Sequence, residues 1–328
     1  MLLVRNKNQA HASQDIVREF EDIIIQTPKV RIVNHHYRWL YIITYNFFRI
    51  FRKLNININL IPNVSSVYKD NIWGDSGHLF TVMLGLNESK FHPYIITRHN
   101  KSIYLFDAWP SEYIKIQKIC RTYKINYLFV SSSQSANNLQ ALLPETQVFW
   151  IPEGINPDEY RYRSFQEKDI DVLALGRRYD KYHHAIVSYL EENQYSYLYE
   201  QEKGKIIFPT REGFINGLAR AKISICVPSS ITHPDRSGDI ETMTVRYLQS
   251  IASKCLIVGH APQEMITLFG YNPVIEIDED NPTKQLEDIL KNYSSYFPLI
   301  EKNFQQVQYH TWKNRWEQIK KTINKQKN

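Results

Sequence analysis

Hydrophobic and polar positions alternate along this chain in two rhythms. Short apolar runs such as Val172–Leu175 and Cys255–Val258 stand between longer stretches with the mixed pattern of amphipathic helices. Runs of four to eight apolar residues bounded by turn residues read as buried strands, and their alternation with helices implies parallel sheets. In the first half the pattern predicts a helix over 13–26, a first strand at Lys29–Val33, a long helix over Tyr37–Leu54 and a second strand at Asn57–Pro62. Short strands at His92–Thr97 and Ser102–Phe106 follow, then helix Ser111–Tyr123, strand Tyr127–Val130, helix Ser135–Leu142 and strand Val148–Ile151. The second half predicts strand Asp171–Leu175, helix Tyr182–Glu192, strand Lys205–Phe208, helix Glu212–Ala221 and strand Ile223–Val227. A helix of about two to three turns, at 3.6 residues per turn, then leads into strand Cys255–Val258. Strand Val274–Ile277 and helices over 283–293 and 296–325 complete the chain.

The two halves meet at Ile151-Pro-Glu-Gly-Ile-Asn-Pro-Asp-Glu-Tyr160, where Pro152, Gly154 and Pro157 break regular structure. At 328 residues the chain exceeds one ordinary core, so two domains are expected, 1–151 and 152–300, with a terminal helix 301–328 packing back toward the first.

Composition narrows the classes. Hydrophobic residues at 43% allow sizeable cores, and a net charge of +6 suits phosphates or an anionic membrane surface. No dense basic run or reader motif points to nucleic acid. Cys120, Cys226 and Cys255 are odd in number and lie in apolar segments, so they read as small buried hydrophobes in a reducing compartment. The start lacks the long apolar core of a signal peptide, and no run approaches a membrane span, so a cytoplasmic protein is expected. The helix over 37–54 carries Trp39, Tyr41, Phe47, Phe48 and Phe51 and ends in Arg49, Arg52 and Lys53. It suits either packing on the first sheet with snorkelling cations or peripheral contact with the inner face of a membrane.

The chemistry concentrates in Glu241-Thr-Met-Thr-Val-Arg246-Tyr-Leu-Gln249, which leads into the strand ending at Gly259. The free amides at the start of that helix, at Met243, Thr244 and Val245, offer a seat for a phosphate. Eight residues span about two turns, so Glu241 and Gln249 can serve two parts of one elongated ligand.

This register resembles the Glu-x7-Glu segment of retaining nucleotide-sugar glycosyltransferases of the two-domain GT-B fold (glycosyl transferases group 1), with Gln249 in place of the second acid. Three further runs support the resemblance in the right order: the linker at 151–160, Val172-Leu-Ala-Leu-Gly176-Arg177, and Leu218-Ala-Arg-Ala-Lys-Ile-Ser-Ile-Cys-Val-Pro228-Ser229. The resemblance covers nearly all of 150–260. It implies two Rossmann-like α/β domains with parallel sheets facing across a cleft, the first for an acceptor and the second for a nucleotide-sugar.

It implies Glu241 beside the transferred sugar and Gln249 near the ribose. Arg177 and Lys181 would bind the diphosphate together with the amides of 243–245, and the base would sit by Phe208 and Thr210. The chain departs from the family in having threonines at 242 and 244, which limit close backbone approach, and Arg246 would compensate by pairing with phosphate directly. The loop Ser229–Asp239 could close over the donor. On the acceptor side it points to His35, His36, Asp107 and Trp109, where Asp107 either takes or orients an acceptor proton or caps the helix near Ser111. Asp169-Ile-Asp171 and Asp278-Glu-Asp280 imitate metal-binding pairs but lie at a strand entry and in a late loop. Neither a metal nor a cofactor is expected. The implied reaction moves a sugar to a glycan, lipid-linked or small-molecule acceptor hydroxyl, with retention, in polysaccharide or glycoconjugate synthesis. A catalytically silent sugar-nucleotide or glycan-binding subunit and a GT-B nucleotide-sugar epimerase are the alternatives.

Overall fold

A computed structural model of the chain describes residues 1–5, 15–34, 46–47, 50, 77–88, 91, 99–176, 178–202 and 205–325. Its contacts divide the chain into two compact units, Met1–Ile151 with Ile319–Asn328, and Pro152–Gln318.

The first unit is built on a six-stranded sheet of β1 (Leu2–Arg5), β2 (Arg31–Asn34), β3 (His78–Leu84), β4 (Asn100–Phe106), β5 (Tyr127–Val130) and β6 (Gln147–Trp150). All described pairings are parallel, in the order β2-β1-β3-β4-β5-β6. The chain reverses its direction of winding between β1 and β3. Helices α1 (Asp15–Ile25), α2 (Tyr113–Tyr123) and α3 (Ser133–Leu142) turn apolar residues inward, among them Val17 and Phe20 from α1, Ile116 and Ile119 from α2, and Leu139 from α3. Ser132 caps α3 by accepting from the Ser135 amide.

Two strands of this sheet escape the sequence pattern. The strand expected first, at Lys29–Val33, is the second, because Leu2–Arg5 already forms β1. Four residues at a chain start are too few to show a period. His78–Leu84 is a nearly continuous apolar run, which periodicity alone does not separate from a buried helix. The expected strands at 57–62 and 92–97 and most of the helix over 37–54 lie outside the described residues. Of that helix, Phe47 and Ile50 are described, and both are exposed.

The second unit holds a five-stranded parallel sheet of β7 (Ile170–Ala174), β8 (Tyr197–Tyr199), β9 (Ala221–Cys226), β10 (Leu256–Gly259) and β11 (Ile275–Glu276). Its order, β8-β7-β9-β10-β11, reverses winding between β7 and β9. In open α/β sheets of this order, ligands bind outside the carboxyl ends of the strands at that reversal. With this sheet go α4 (Asp180–Glu192), α5 (Arg211–Arg220), the short α6 (Ser229–Thr232) and α7 (Pro234–Ser237), α8 (Val245–Ala252), α9 (Gln263–Phe269), α10 (Pro282–Lys291) and α11 (Phe297–Val307), while α12 (Trp312–Lys325) begins in this unit and is counted with the first from Ile319 onward. Two apolar clusters form the core, one around Leu173, Leu248 and Ile257, the other around Val172, Ile223 and Leu256.

Two expectations are corrected here. Lys205–Phe208 is not a strand: Ile206 is exposed, and the edge position beside β7 is taken by Tyr197–Tyr199, in register with Val172–Ala174. The terminal helix expected over 296–325 is two helices. The chain between them leaves helical geometry because Thr311 pairs with Ile155, whose amide donates to the His310 carbonyl at 3.1 Å while its carbonyl accepts from Trp312 at 3.0 Å. Gly154 permits that approach, since a Cβ there would stand 2.8 Å from the Trp312 nitrogen.

Candidate functional site

In the second unit the reversal between β7 and β9 has a specific local construction. β7 runs out through Leu175 into Gly176, whose φ of +70° is a turn conformation that other residues adopt at a cost. From α8, Arg246 reaches back and donates Nη1 to the Leu175 carbonyl at 2.5 Å. Its charge also acts on the Cys226 thiol at the end of β9, partly offsetting the burial that raises that thiol. Arg246 thus spans the carboxyl ends of both strands. Among the described residues it makes no ion pair, and the bond to Leu175 is the one hydrogen bond of a guanidinium that can donate five. Beyond β9, the hydroxyls of Ser229, Ser230 and Thr232 are buried without a hydrogen-bond partner among the described residues, as is that of Thr244 before α8.

The amides at the start of α8 are occupied in this structure. Val245 donates to Glu153 Oε2 at 2.6 Å, and Met243 donates to Glu264 Oε1 at 2.7 Å, which also accepts from the Thr242 hydroxyl at 2.8 Å. Both acids are buried, Glu153 at 3% and Glu264 at 7% exposure. They complement the positive end of the helix where the sequence reading places a phosphate. That reading of Met243 and Val245 as free amides is corrected: internal carboxylates hold them.

Other expected donor residues have local partners too. Lys181 pairs with Glu279 at 2.5 Å, which raises the Lys181 ammonium above its usual value. Gln249 is buried and donates to the Tyr160 hydroxyl at 2.9 Å. The Thr210 hydroxyl caps α5 by accepting from Gly213 at 3.1 Å, and Phe208 packs against Gly217 of the same helix. Glu241 is half-buried in the loop ahead of α8, and Arg177 lies outside the described residues. The structure therefore gathers Arg246, Thr244 and the start of the 229–239 loop near the reversal, and turns Gln249, Phe208 and Thr210 to the protein's own packing.

In the first unit, β4 ends at Phe106, and the next residue, Asp107, has a φ of +53°. Asp and Asn tolerate this region better than most residues, yet it remains uncommon and costs energy. The following turn closes through Trp109 N to Asp107 O at 2.8 Å, and the helical turn over 110–112 starts from Trp109 with no side-chain cap. The N-cap position of that turn is thus Trp109, two residues after Asp107. Ser135 fastens the same turn by donating to the Ala108 carbonyl at 2.7 Å. Trp109 is 1% exposed and belongs to the interior, which corrects its reading as an acceptor contact. His35 and His36 lie outside the described residues.

The acidic pairs that imitate metal sites are bound elsewhere. Asp169 forms a bidentate pair with Arg220, and Asp171 pairs with Lys222 at 2.6 Å. Among the described residues, no cluster of His, Cys, Asp or Glu has the makings of a metal site. No described helix is long and apolar enough to cross a membrane, and the three cysteines are buried and free.

No family model matches the chain, and no curated protein does. Solved structures match nearly all of it. HepE of Anabaena, in complex with UDP and glucose, is 8% identical, with 99% of each chain covered and a TM-score of 0.60. Sucrose-phosphate synthase of Thermosynechococcus elongatus is 9% identical over 99% of this chain and 98% of its own, also at 0.60. A glycosyltransferase of Rickettsia africae is 11% identical over 99% and 97%, at 0.55. These neighbours are GT-B glycosyltransferases, and the fold of this chain, two parallel sheets with helices, is theirs. At such identities the likeness is one of architecture.

Proposed function

We propose that the chain is a glycosyltransferase that takes a sugar from a nucleotide-sugar donor bound by the second unit and passes it, with retention and without a metal, to an acceptor hydroxyl served by the first. The observation that carries this reading is Arg246, a guanidinium without a carboxylate partner among the described residues, at the reversal between β7 and β9 where sheets of this order bind ligands. Departure of a nucleoside diphosphate builds negative charge, and a cation already in place stabilises the transition state more than the ground state. The buried hydroxyls of Ser229, Ser230, Thr232 and Thr244 suit phosphate oxygens once the 229–239 loop shifts around them. HepE supports the donor class, since its structures hold UDP-glucose or UDP with glucose.

Glu241, in the loop before α8, is assigned to the donor sugar, where its charge responds to the positive charge developing at the anomeric carbon. Asp107, just after β4, is assigned to the acceptor hydroxyl. Arg177 and Lys181 remain diphosphate candidates, Lys181 from its position beside Glu279. His35 and His36 remain candidates on the acceptor side.

One observation favours a second reading, a sugar-nucleotide-binding subunit without turnover: Glu153 and Glu264 fill the amides that a phosphate would use. A panel of nucleotide sugars, assayed for binding by thermal shift and for release of nucleoside diphosphate with and without acceptors, separates the two. Binding without release supports the silent subunit, and absence of any binding defeats both. In an active protein, Glu241→Gln should cut turnover far more than donor affinity while the melting temperature holds. Normal turnover in that variant removes Glu241 from the chemistry.

A further inference from the structure

The acidic run Asp278-Glu279-Asp280 has a division of labour that the sequence does not show. Asp278 builds the turn, its Oδ1 accepting from the amides of Asp280 and Asn281, both at 3.0 Å. Glu279 faces the other way and gathers three groups from two other strand ends: the Tyr179 hydroxyl at 2.9 Å, Lys181 Nζ at 2.5 Å and His260 Nε2 at 3.2 Å. Tyr179 and Lys181 belong to the segment that leaves β7 through Gly176, and His260 is the first residue after β10. On its other side, His260 Nδ1 lies 3.1 Å from Glu276 Oε2 at the end of β11. Glu276 also accepts from the Ala261 amide at 3.0 Å and from Asn272 at 2.9 Å, so it is held in place independently of the histidine.

Each ring nitrogen of His260 therefore faces a carboxylate, and a neutral imidazole has only one N–H. Both bonds exist together only in the imidazolium. The other groups around the ring are the Tyr179 ring, edge-on at 6.1 Å, the Tyr247 hydroxyl of α8, which donates to the His260 carbonyl at 2.6 Å, and Lys181 across Glu279.

We propose that His260 and Glu279 are positioning residues for the segment after β7: the imidazolium ties Glu279 to Glu276, Glu279 holds Tyr179 and Lys181, and loss of one proton from His260 slackens the segment. The bond to Glu276 and then that to Glu279 raise the His260 imidazole against the opposing effect of burial. The Glu279 carboxyl is lowered first by Lys181, then by Tyr179 and His260. The strut is thus complete below the raised His260 value, with His260 charged and Glu279 ionised, and opens as pH rises through that value. Its consequence for the donor rests on the function proposed above, because that segment carries Gly176 and lies at the proposed phosphate site.

The test needs no ligand to begin. Imidazole nitrogen shifts of the labelled full-length protein, with His260 assigned by comparison with His260→Gln, give its midpoint. Hydrogen exchange at the amides of 175–182, corrected for intrinsic rates, gives the opening of the segment between pH 6 and 9. The expected result is a midpoint above the ordinary histidine value of about 6.5, with exchange in 175–182 rising roughly fivefold through the same pH range, the size of one hydrogen bond. In His260→Gln that pH step is lost, and in Glu279→Gln the segment exchanges faster at every pH. A midpoint at or below the ordinary value overturns the proposal, as does an undiminished step in His260→Gln. If the variants do not fold, the wild-type curves decide, because midpoints for shift and exchange that differ by more than about one unit sink the idea. UDP-glucose, whose diphosphate does not titrate in this range, then checks the link to function. Its affinity should fall with the same midpoint in the wild type. No binding at any pH counts against the donor assignment and leaves the exchange result standing. Binding that ignores the step refutes the positioning role.

Discussion

Glu153 accepts a hydrogen bond from the Val245 amide at 2.6 Å across 92 residues of sequence. A carboxylate from the segment that opens the second unit thus sits on the first amide of the helix whose amino end was expected to receive a phosphate. Replacing it with an uncharged isostere separates the two roles. Glu153→Gln should lose about 1 kcal/mol of stability, the worth of a charged contact at a helix amino end. It should also bind nucleotide sugars more tightly, because a competing anion has gone. Urea unfolding and calorimetric titration on the same variant read both changes. Weaker nucleotide binding would mean that Glu153 shapes the donor site instead of competing for it.

Gly176 carries a second prediction. Its positive φ alone costs a substituted residue about 1 kcal/mol or more, and an added Cβ would stand 3.2 Å from Arg246 Nη1. Gly176→Ala should therefore destabilise modestly but displace the Arg246 guanidinium from Leu175, weakening donor binding beyond the stability loss. A variant that melts lower yet binds the donor normally would detach Arg246 from the phosphate.

Asp107 holds a left-handed conformation just after β4, two residues before the N-cap position of the next helical turn. Glycine should relieve that strain, so Asp107→Gly is expected to be stable to within about 1 kcal/mol of the wild type. Asp107→Asn keeps the backbone preference and removes the charge. If Asp107 handles the acceptor proton, both variants should lose turnover while donor affinity is kept. Full turnover in Asp107→Asn would leave only the backbone role.

His310 makes a pH prediction of opposite sign to that for His260. Burial, then the neighbouring Arg315, lowers its imidazole to about 4. Its Nδ1 accepts from Arg315 Nη2 at 2.9 Å, and the ring stacks on Phe269 with centroids 4.6 Å apart. The unfolded chain, with an ordinary histidine value of about 6.5, binds the proton first as pH falls. Stability should therefore decline from about pH 6.5 toward 4, by up to about 3 kcal/mol from this group. Urea unfolding at several pH values should show that slope flattened in His310→Gln. An unchanged slope would assign the acid sensitivity to other groups.

Much of this architecture was legible in the chain because its cause is local. Tyr127–Val130 is a strand as expected, since a short apolar run between a left-handed Lys124 and a serine cluster has few alternatives. Pro152, Gly154 and Pro157 marked a break in regular structure that backbone chemistry alone requires. The alternation of strand and helix was enough for an α/β class with parallel sheets.

What the sequence could not disclose is pairing between residues far apart. Nothing near position 153 says that its carboxylate ends on the Val245 amide, and nothing near 264 says the same for Met243. A helix amino end reads as free until the whole chain decides which anion reaches it. Tyr197–Tyr199 displaced the more apolar 205–208 as an edge strand because the register beside β7 is set by tertiary packing, which overrides β propensity. His260 carried no local signal at all, since its two carboxylates come from residues 276 and 279. Local chemistry determined the elements and the class of fold, and only the tertiary structure decided which charged groups meet, because electrostatic partners are chosen by distance in space.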